Sequence, residues 1–163
     1  MNFTKEHIFE LLSEIPDPEI PVISIIELGV VRDAVIIDEN SIEVTMTPTY
    51  SGCPAMKQME DDVKKKLMEH GFTSVKINTI FSPPWTTDWL NDEAKEKLRK
   101  YGIAPPAEST QDKSWLTGKI KNIACPRCGS KSTTLISQFG STSCKALYQC
   151  KDCLEPFDYF KCH

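Results

Sequence analysis

Apolar positions along the first hundred residues recur with periods that switch between helix and strand. Ile8, Leu11, Leu12 and Ile15 are spaced to share one helix face, Thr4 is placed to cap its start, and Pro16 and Pro18 stop it. Asp17-Pro18-Glu19-Ile20-Pro21 is too proline-rich for a helix or a central strand. Val30 to Ile37 and Ser41 to Met46 predict two strands, the second with Ile42, Val44 and Met46 on one face, joined by Asp38-Glu39-Asn40 with hairpin length and turn chemistry. A loop from Thr47 to Pro54 leads into a helix striped by Met56, Met59, Val63 and Leu67, which Gly71 caps. Val75, Ile77 and Thr79 alternate as a third strand until Pro83-Pro84-Trp85 breaks it. A last helix runs from about Asn91 to Tyr101 and ends at Gly102, with Ala94 and Leu98 inward and a mostly charged, solvated remainder.

This order predicts an α+β class: a compact domain over residues 1–104 with a small mixed sheet packed by helices on one face. Residues 105–118 are polar and led by Pro105-Pro106, which marks a linker; Trp115 and Leu116 interrupt it and can dock it onto a domain. Residues 119–163 predict antiparallel β structure, with strand character in Thr133 to Phe139 and Ala146 to Gln149, a turn at Gly140-Ser141-Thr142, and aromatic residues in Pro156 to Phe160.

Composition refines this picture without changing it. With 163 residues, 40% hydrophobic and 26% charged, the chain suits one main domain plus a small appendage. No apolar run reaches membrane-span length and no secretion signal opens the chain, so a cytoplasmic protein without a membrane partner is expected. Charge divides unevenly: residues 1–118 carry −8 and residues 119–163 carry +4. Four metal-bound thiolates around a divalent ion add about −2 to the basic end, leaving too little surplus to argue for nucleic acid.

Seven cysteines carry most of the candidate chemistry. Cys125-Pro126-Arg127-Cys128 and Cys150-Lys151-Asp152-Cys153 are two C-x-x-C knuckles, a spacing that brings four thiolates to one tetrahedral ion. A structural zinc ribbon is the first expectation; a rubredoxin-like iron centre and a dithiol redox pair are the alternatives. A segment this small needs such a staple in place of a large core. Cys53 precedes Pro54 at the head of the second predicted helix, where the helix dipole favours a thiolate. It reads as a metal or cluster ligand, as a nucleophile, or as a small buried filler of the helix–loop junction. Asp17 and Glu19 sit on a stiff turn and form a conceivable carboxylate pair, against an Asx turn for Asp17 and simple solvation for Glu19. His7, His70 and His163 join none of these motifs, so a Cys-His hydrolase has no support, and there is no glycine-rich phosphate loop. Cys144 is expected to be buried packing, and Cys162-His163 at the chain end a minor second metal candidate.

Asp17-Pro18-Glu19-Ile20-Pro21, Ile26 to Val31 and Thr47 to Pro54 together resemble the metal–sulfur cluster assembly domain of cytosolic iron–sulfur targeting factors and SufT. Pro83 to Trp89 and Tyr101 to Pro106 extend that resemblance. Adding the first knuckle, Phe139 to Ala146 and Pro156 to His163, the combination resembles the PaaD (PaaJ) family of the phenylacetyl-CoA epoxidase system. The resemblance implies a non-catalytic accessory component in aerobic phenylacetate degradation that matures the reductase's iron–sulfur cluster or loads iron. It also implies Cys53 as the reactive residue, with Asp17 and Glu19 as its neighbours, handling a transient iron or iron–sulfur cargo. The implied partners are the epoxidase reductase and oxygenase subunits and the iron–sulfur assembly machinery, with a homodimer left open. A structural subunit of the epoxidase complex and an electron-transfer protein are the competing readings. The chain lacks the Glu-x-x-His pairs of a di-iron bundle and any flavin or nucleotide fingerprint, so it is neither the oxygenase nor the reductase.

Overall fold

The computed structural model describes residues 3–106 and 123–160, which fall into two compact units, one ending at Trp85 and the other beginning at Thr86. In the first unit, helix α1 (Lys5–Ser13) starts where Thr4 Oγ1 accepts the His7 N–H at 3.3 Å and buries Ile8, Leu11 and Leu12. Strands β1 (Val31–Asp38) and β2 (Ser41–Met46) pair antiparallel, and β3 (Ser74–Thr79) joins β2 in parallel, giving the order β1-β2-β3. A parallel neighbour requires a crossover, and helix α2 (Ala55–Glu69) supplies it. Alternation along β2 aligns Ile42, Val44 and Met46 with Val75, Ile77 and Thr79, while Glu43 and Lys76 form an ion pair at 2.6 Å on the other face. Helix α2 packs its buried Met56, Met59, Val63 and Leu67 toward the β3 side, and α1 packs against β1 and α2.

The end of α2 shows how local chemistry sets a boundary. Gly71 has φ 106, its N–H reaches Met68 O at 3.1 Å, and the Phe72 N–H reaches Leu67 O at 3.2 Å. This is a Schellman cap, in which the glycine supplies the left-handed backbone. Phe72 and Leu67 are both buried beside it.

The segment between α1 and β1 contains no regular element, yet it is the most thoroughly buried loop of the unit. Ile20, Ile23, Ile25, Leu28 and Val30 are all buried, and backbone bonds from Asp17 N to Ile23 O (2.8 Å) and Ile25 N to Ile15 O (3.0 Å) fold it on itself. The Trp85 indole N–H donates to Leu28 O at 2.8 Å from the far end of the unit.

In the second unit, helix α3 (Asp92–Tyr101) runs from an Asn91 cap to Gly102 at φ 92. Strands β4 (Ile103–Ala104), β5 (Thr133–Ser137), β6 (Lys145–Cys150) and β7 (Pro156–Phe160) form one sheet in the order β4-β7-β6-β5. The expected domain limits differ here. Residues 86–104, assigned from sequence to the first domain, belong to the second unit, because Ile103 and Ala104 pair in parallel with Asp158 and Tyr159. Ala104 also enters the ribbon core with Ile123, Cys125, Ala146, Tyr148, Cys150 and Phe157. Strand β5 stops at Ser137, two residues short of the expected end, after a register shift between Leu135 and Ser137. Most of the expected linker, including Trp115 and Leu116, lies outside the described residues, as do Cys162 and His163.

Because Ala104 is 1% exposed within that core, Ala104→Asp is expected to destabilise the ribbon by about 3 kcal/mol through an unpaired buried carboxylate. Guanidinium unfolding followed by tyrosine near-UV dichroism checks this; a midpoint equal to that of the unmodified protein would mean β4 is not part of the ribbon's fold.

Candidate functional site

Two knuckles bring four sulfurs together. Cys125, Cys128, Cys150 and Cys153 place every Sγ within 4.8 Å of every other, with Cys125–Cys153 at 3.7 Å and Cys128–Cys150 at 3.5 Å. A tetrahedron with metal–sulfur bonds of about 2.3 Å has edges of about 3.8 Å, whereas a disulfide needs about 2.05 Å. The donor set therefore fits a tetrahedral cation and not a cross-link. Each knuckle turns through a left-handed residue immediately after its second cysteine, Gly129 at φ 75 and Leu154 at φ 63. The Cys125 N–H closes the first knuckle onto Ser130 O at 2.8 Å, and two cross-ties hold the knuckles against each other: Arg127 pairs with Glu155 at 2.5 Å, and the Ser130 hydroxyl donates to Asp152.

Burial is divided evenly, the first cysteine of each knuckle being buried and the second exposed. Hydrogen bonding separates the thiols further. The backbone N–H of Cys153, with that of Asp152 and the Cys128 and Cys153 thiols, brings Cys150 down to about 7 against the cost of desolvation. At Cys153 the Glu155 N–H favours the thiolate, but desolvation and the Cys150, Cys128 and Cys125 sulfurs outweigh it and push the thiol up to about 12. Cys128 is likewise raised: its Ser130 N–H is opposed by Cys150, desolvation and Cys125. One thiolate forms readily and the next are resisted, the behaviour of a donor set that requires a cation to ionise fully.

The loop that carries Cys53 leaves one end of the first unit's sheet. Val31 pairs with Met46, the Thr47 N–H donates to Val30 O at 2.8 Å, and the Ile80 N–H donates to Met46 O at 2.9 Å. The entry to β1 and the exits of β2 and β3 thus meet at the carboxyl ends of the two parallel strands, where open α/β sheets characteristically bind ligands. The loop from Thr47 to Pro54 leaves from this point. Cys53 is buried, and its N–H closes a turn onto Tyr50 O at 3.3 Å in which Gly52 has φ 79. Pro54 occupies the cap position of α2, not the expected first helical position, which leaves Cys53 one residue outside the helix. A tight Met56 N to Cys53 O bond of 3.2 Å accounts for the difference.

Asp17 takes the Asx-turn alternative. It is buried, and its Oδ1 accepts the N–H groups of Glu19 (2.8 Å) and Ile20 (2.6 Å). Glu19 is partly exposed on that turn. Among the described residues, Asp17, Glu19 and Cys53 do not form a three-donor metal group; the four knuckle cysteines do. The structure adds Thr47, which sequence reading passed over: its Oγ1 is buried without a hydrogen-bond partner in a residue 1% exposed. Such a group carries a desolvation cost and calls for an explanation. Cys144 is buried as expected, 2.9 Å from the Thr142 hydroxyl.

Similarity to known proteins follows the same division. An iron–sulfur cluster assembly protein family model matches residues 5–78, and a PaaD zinc β-ribbon domain model matches residues 109–161. A putative 1,2-phenylacetyl-CoA epoxidase component of Escherichia coli is 50% identical over 95% of this chain and 91% of its own length. An Fe-S protein maturation auxiliary factor of Porphyromonas gingivalis is 35% identical over 58% of this chain and 90% of its own. The crystal structure of a domain of unknown function, DUF59, from Bacillus anthracis superposes with a TM-score of 0.54 at 31% identity, covering 58% of this chain and 90% of that one. With the Escherichia coli relative matched over nearly its whole length and both domain types present in order, the chain belongs to the PaaD family of accessory proteins.

Proposed function

We propose that this chain is a maturation factor of the phenylacetyl-CoA epoxidase system, handling iron or an iron–sulfur cluster at Cys53 and holding a structural zinc ion in its ribbon. The division of the cysteines carries this reading. The four knuckle thiols satisfy one another around a single tetrahedral position, a closed arrangement typical of structural zinc. Cys53 stands apart from them in chain and role, on a turn that opens at the carboxyl ends of parallel strands. A single protein thiolate leaves coordination positions open, so cargo held there exchanges more readily than cargo held by four. Thr47 Oγ1, desolvated and unpaired where that loop begins, is a group that such cargo would satisfy. The names of relatives that share the assembly domain support the same direction.

For the ribbon, the expected result is one zinc per chain and a protein without visible absorption; an iron-containing, coloured ribbon would replace this reading with electron transfer. Metal affinity should fall with pH. Protons compete for the sulfurs: Cys150 is brought down to about 7 but Cys153 is pushed up to about 12, so binding is strongest in alkali and is lost as pH drops. Competition with a chromogenic chelator between pH 8 and pH 5 reads this directly.

For the first unit, Cys53→Ser is expected to leave folding nearly unchanged, with a shift of about 1 kcal/mol or less, while lowering iron and acid-labile sulfide in the co-expressed epoxidase reductase several-fold. Full cluster occupancy with the serine variant would reduce the chain to a structural subunit.

A further inference from the structure

Strand β3 completes its sheet and leaves its own outer edge open. Among the described elements it touches only β2 and α2. The Ser74 N–H reaches Asn40 O at 3.0 Å and the Ile80 N–H reaches Met46 O at 2.9 Å, both on the β2 side. Backbone groups alternate in direction along a strand, so the N–H and C=O groups of Val75, Ile77 and Thr79 point away from β2 into the open edge. Their side chains are also short of cover. On the helix-facing side Ile42, Val44 and Met46 of β2 are at most 1% exposed, whereas Val75, Ile77 and Thr79, their neighbours in register, are half-buried.

The opposite edge of the sheet is guarded and this one is not. Strand β1 carries register shifts between Val31 and Asp33 and between Ile36 and Asp38, which break an edge against pairing. Strand β3 follows β2 from Ser74 to Thr79 without a shift. Its one charged residue, Lys76, is the usual guard of such an edge, but Glu43 neutralises it at 2.6 Å. The Thr79 hydroxyl donates to Glu60 at 3.2 Å and so marks the side of α2 that meets β3; there Glu60 and Lys64 stand one turn apart and sum to zero. The edge is neutral, although residues 1–118 carry −8.

We infer that β3 pairs with β3 of a second copy of this chain, antiparallel about a two-fold axis at Ile77. That centre opposes Ile77 to its own counterpart, Val75 to Thr79, Ser74 to Ile80 and Lys76 to Asn78, so the outward backbone groups of Val75, Ile77 and Thr79 all find partners. Apolar side chains then meet on the helix-facing side. On the other side Lys76 lies between Glu43 and the amide oxygen of the opposing Asn78, which can accept its hydrogen bond. Centring on Lys76 would oppose two ammonium groups, and centring on Val75 or Asn78 would carry part of the ladder beyond the strand. The two-fold closes, joining two three-stranded sheets into one with the bulged β1 strands as its outer edges. A neutral edge whose own sequence supplies the apolar and amide partners it lacks selects a second copy over a charged client strand. This pairing does not depend on what Cys53 holds.

The test is the oligomeric state of the full chain, measured by sedimentation across the micromolar range, together with amide exchange by NMR. The unmodified chain should be a dimer in which the Val75, Ile77 and Thr79 N–H groups exchange more slowly as concentration rises. Asn78 is exposed, so Asn78→Lys should keep the helical dichroism of the unmodified chain. It places two pairs of like charges across the interface and should raise the dimer dissociation constant about tenfold, whereas Asn78→Glu should lower it in low salt. A chain that stays monomeric across the range overturns the proposal. So does a dimer whose three amides exchange independently of concentration, or one that Asn78→Lys leaves intact, since either places the contact elsewhere. Protection of those amides only on adding an epoxidase subunit gives the edge to another strand and overturns the second copy as its occupant.

Discussion

Four sulfurs within 4.8 Å of one another impose the constraint on which the second unit depends. As thiolates they repel, and as thiols they are weak hydrogen-bonding groups around two turns that adjoin the strands of a small sheet. Only a cation lets all four ionise and face inward together. Cys125 and Cys150 belong to the same buried cluster as Tyr148, Phe157 and Ala104, so ligation and core packing are here one event. A metal-driven fold of this kind recruits whatever apolar surface lies within reach. The two-residue strand Ile103–Ala104 is an example, pairing with the edge of β7 and completing a core that residues 119–163 do not fill alone.

The first unit is organised by a different constraint. Strands β2 and β3 run parallel, so the chain must cross over through α2, and the loops leaving both strands emerge at the same end. Backbone bonds from Thr47 to Val30 and from Ile80 to Met46 tie those exits to the entry of β1. Trp85 reaches back to Leu28 and fixes the loop that carries the Asp17 turn. The position of the Thr47–Cys53 loop therefore follows from topology.

Local chemistry makes most of this fold legible in the sequence. Thr4 and Asn91 cap helices, Gly71 and Gly102 end them, and the alternation of Ile42, Val44 and Met46 marks the central strand. The knuckle spacing announces the metal centre because two short C-x-x-C turns leave little freedom to their sulfurs. Strand β4 is not legible. Two residues after a helix cap have no periodicity, and their pairing with Asp158 and Tyr159 is decided far along the chain. Pro105 and Pro106 add a convincing linker signal just beyond them and draw the boundary too late. Asp17 is ambiguous from sequence because the same carboxylate can face a ligand or its own backbone, and only the Oδ1 bonds to Glu19 and Ile20 decide how that oxygen is used. Leu154 and Thr47 leave no trace either: a left-handed leucine and an unpaired hydroxyl are exceptions to residue preference, visible only in the folded chain.

Those two exceptions are informative for the same physical reason. Folding tolerates a strained backbone or an unsatisfied buried hydroxyl only where the surrounding structure over-determines it, and each costs free energy that a different side chain at that position would avoid. Glycine at residue 154 would suit the knuckle, as it does at 129, and an apolar residue at 47 would suit the end of β2. Neither departure improves the isolated chain.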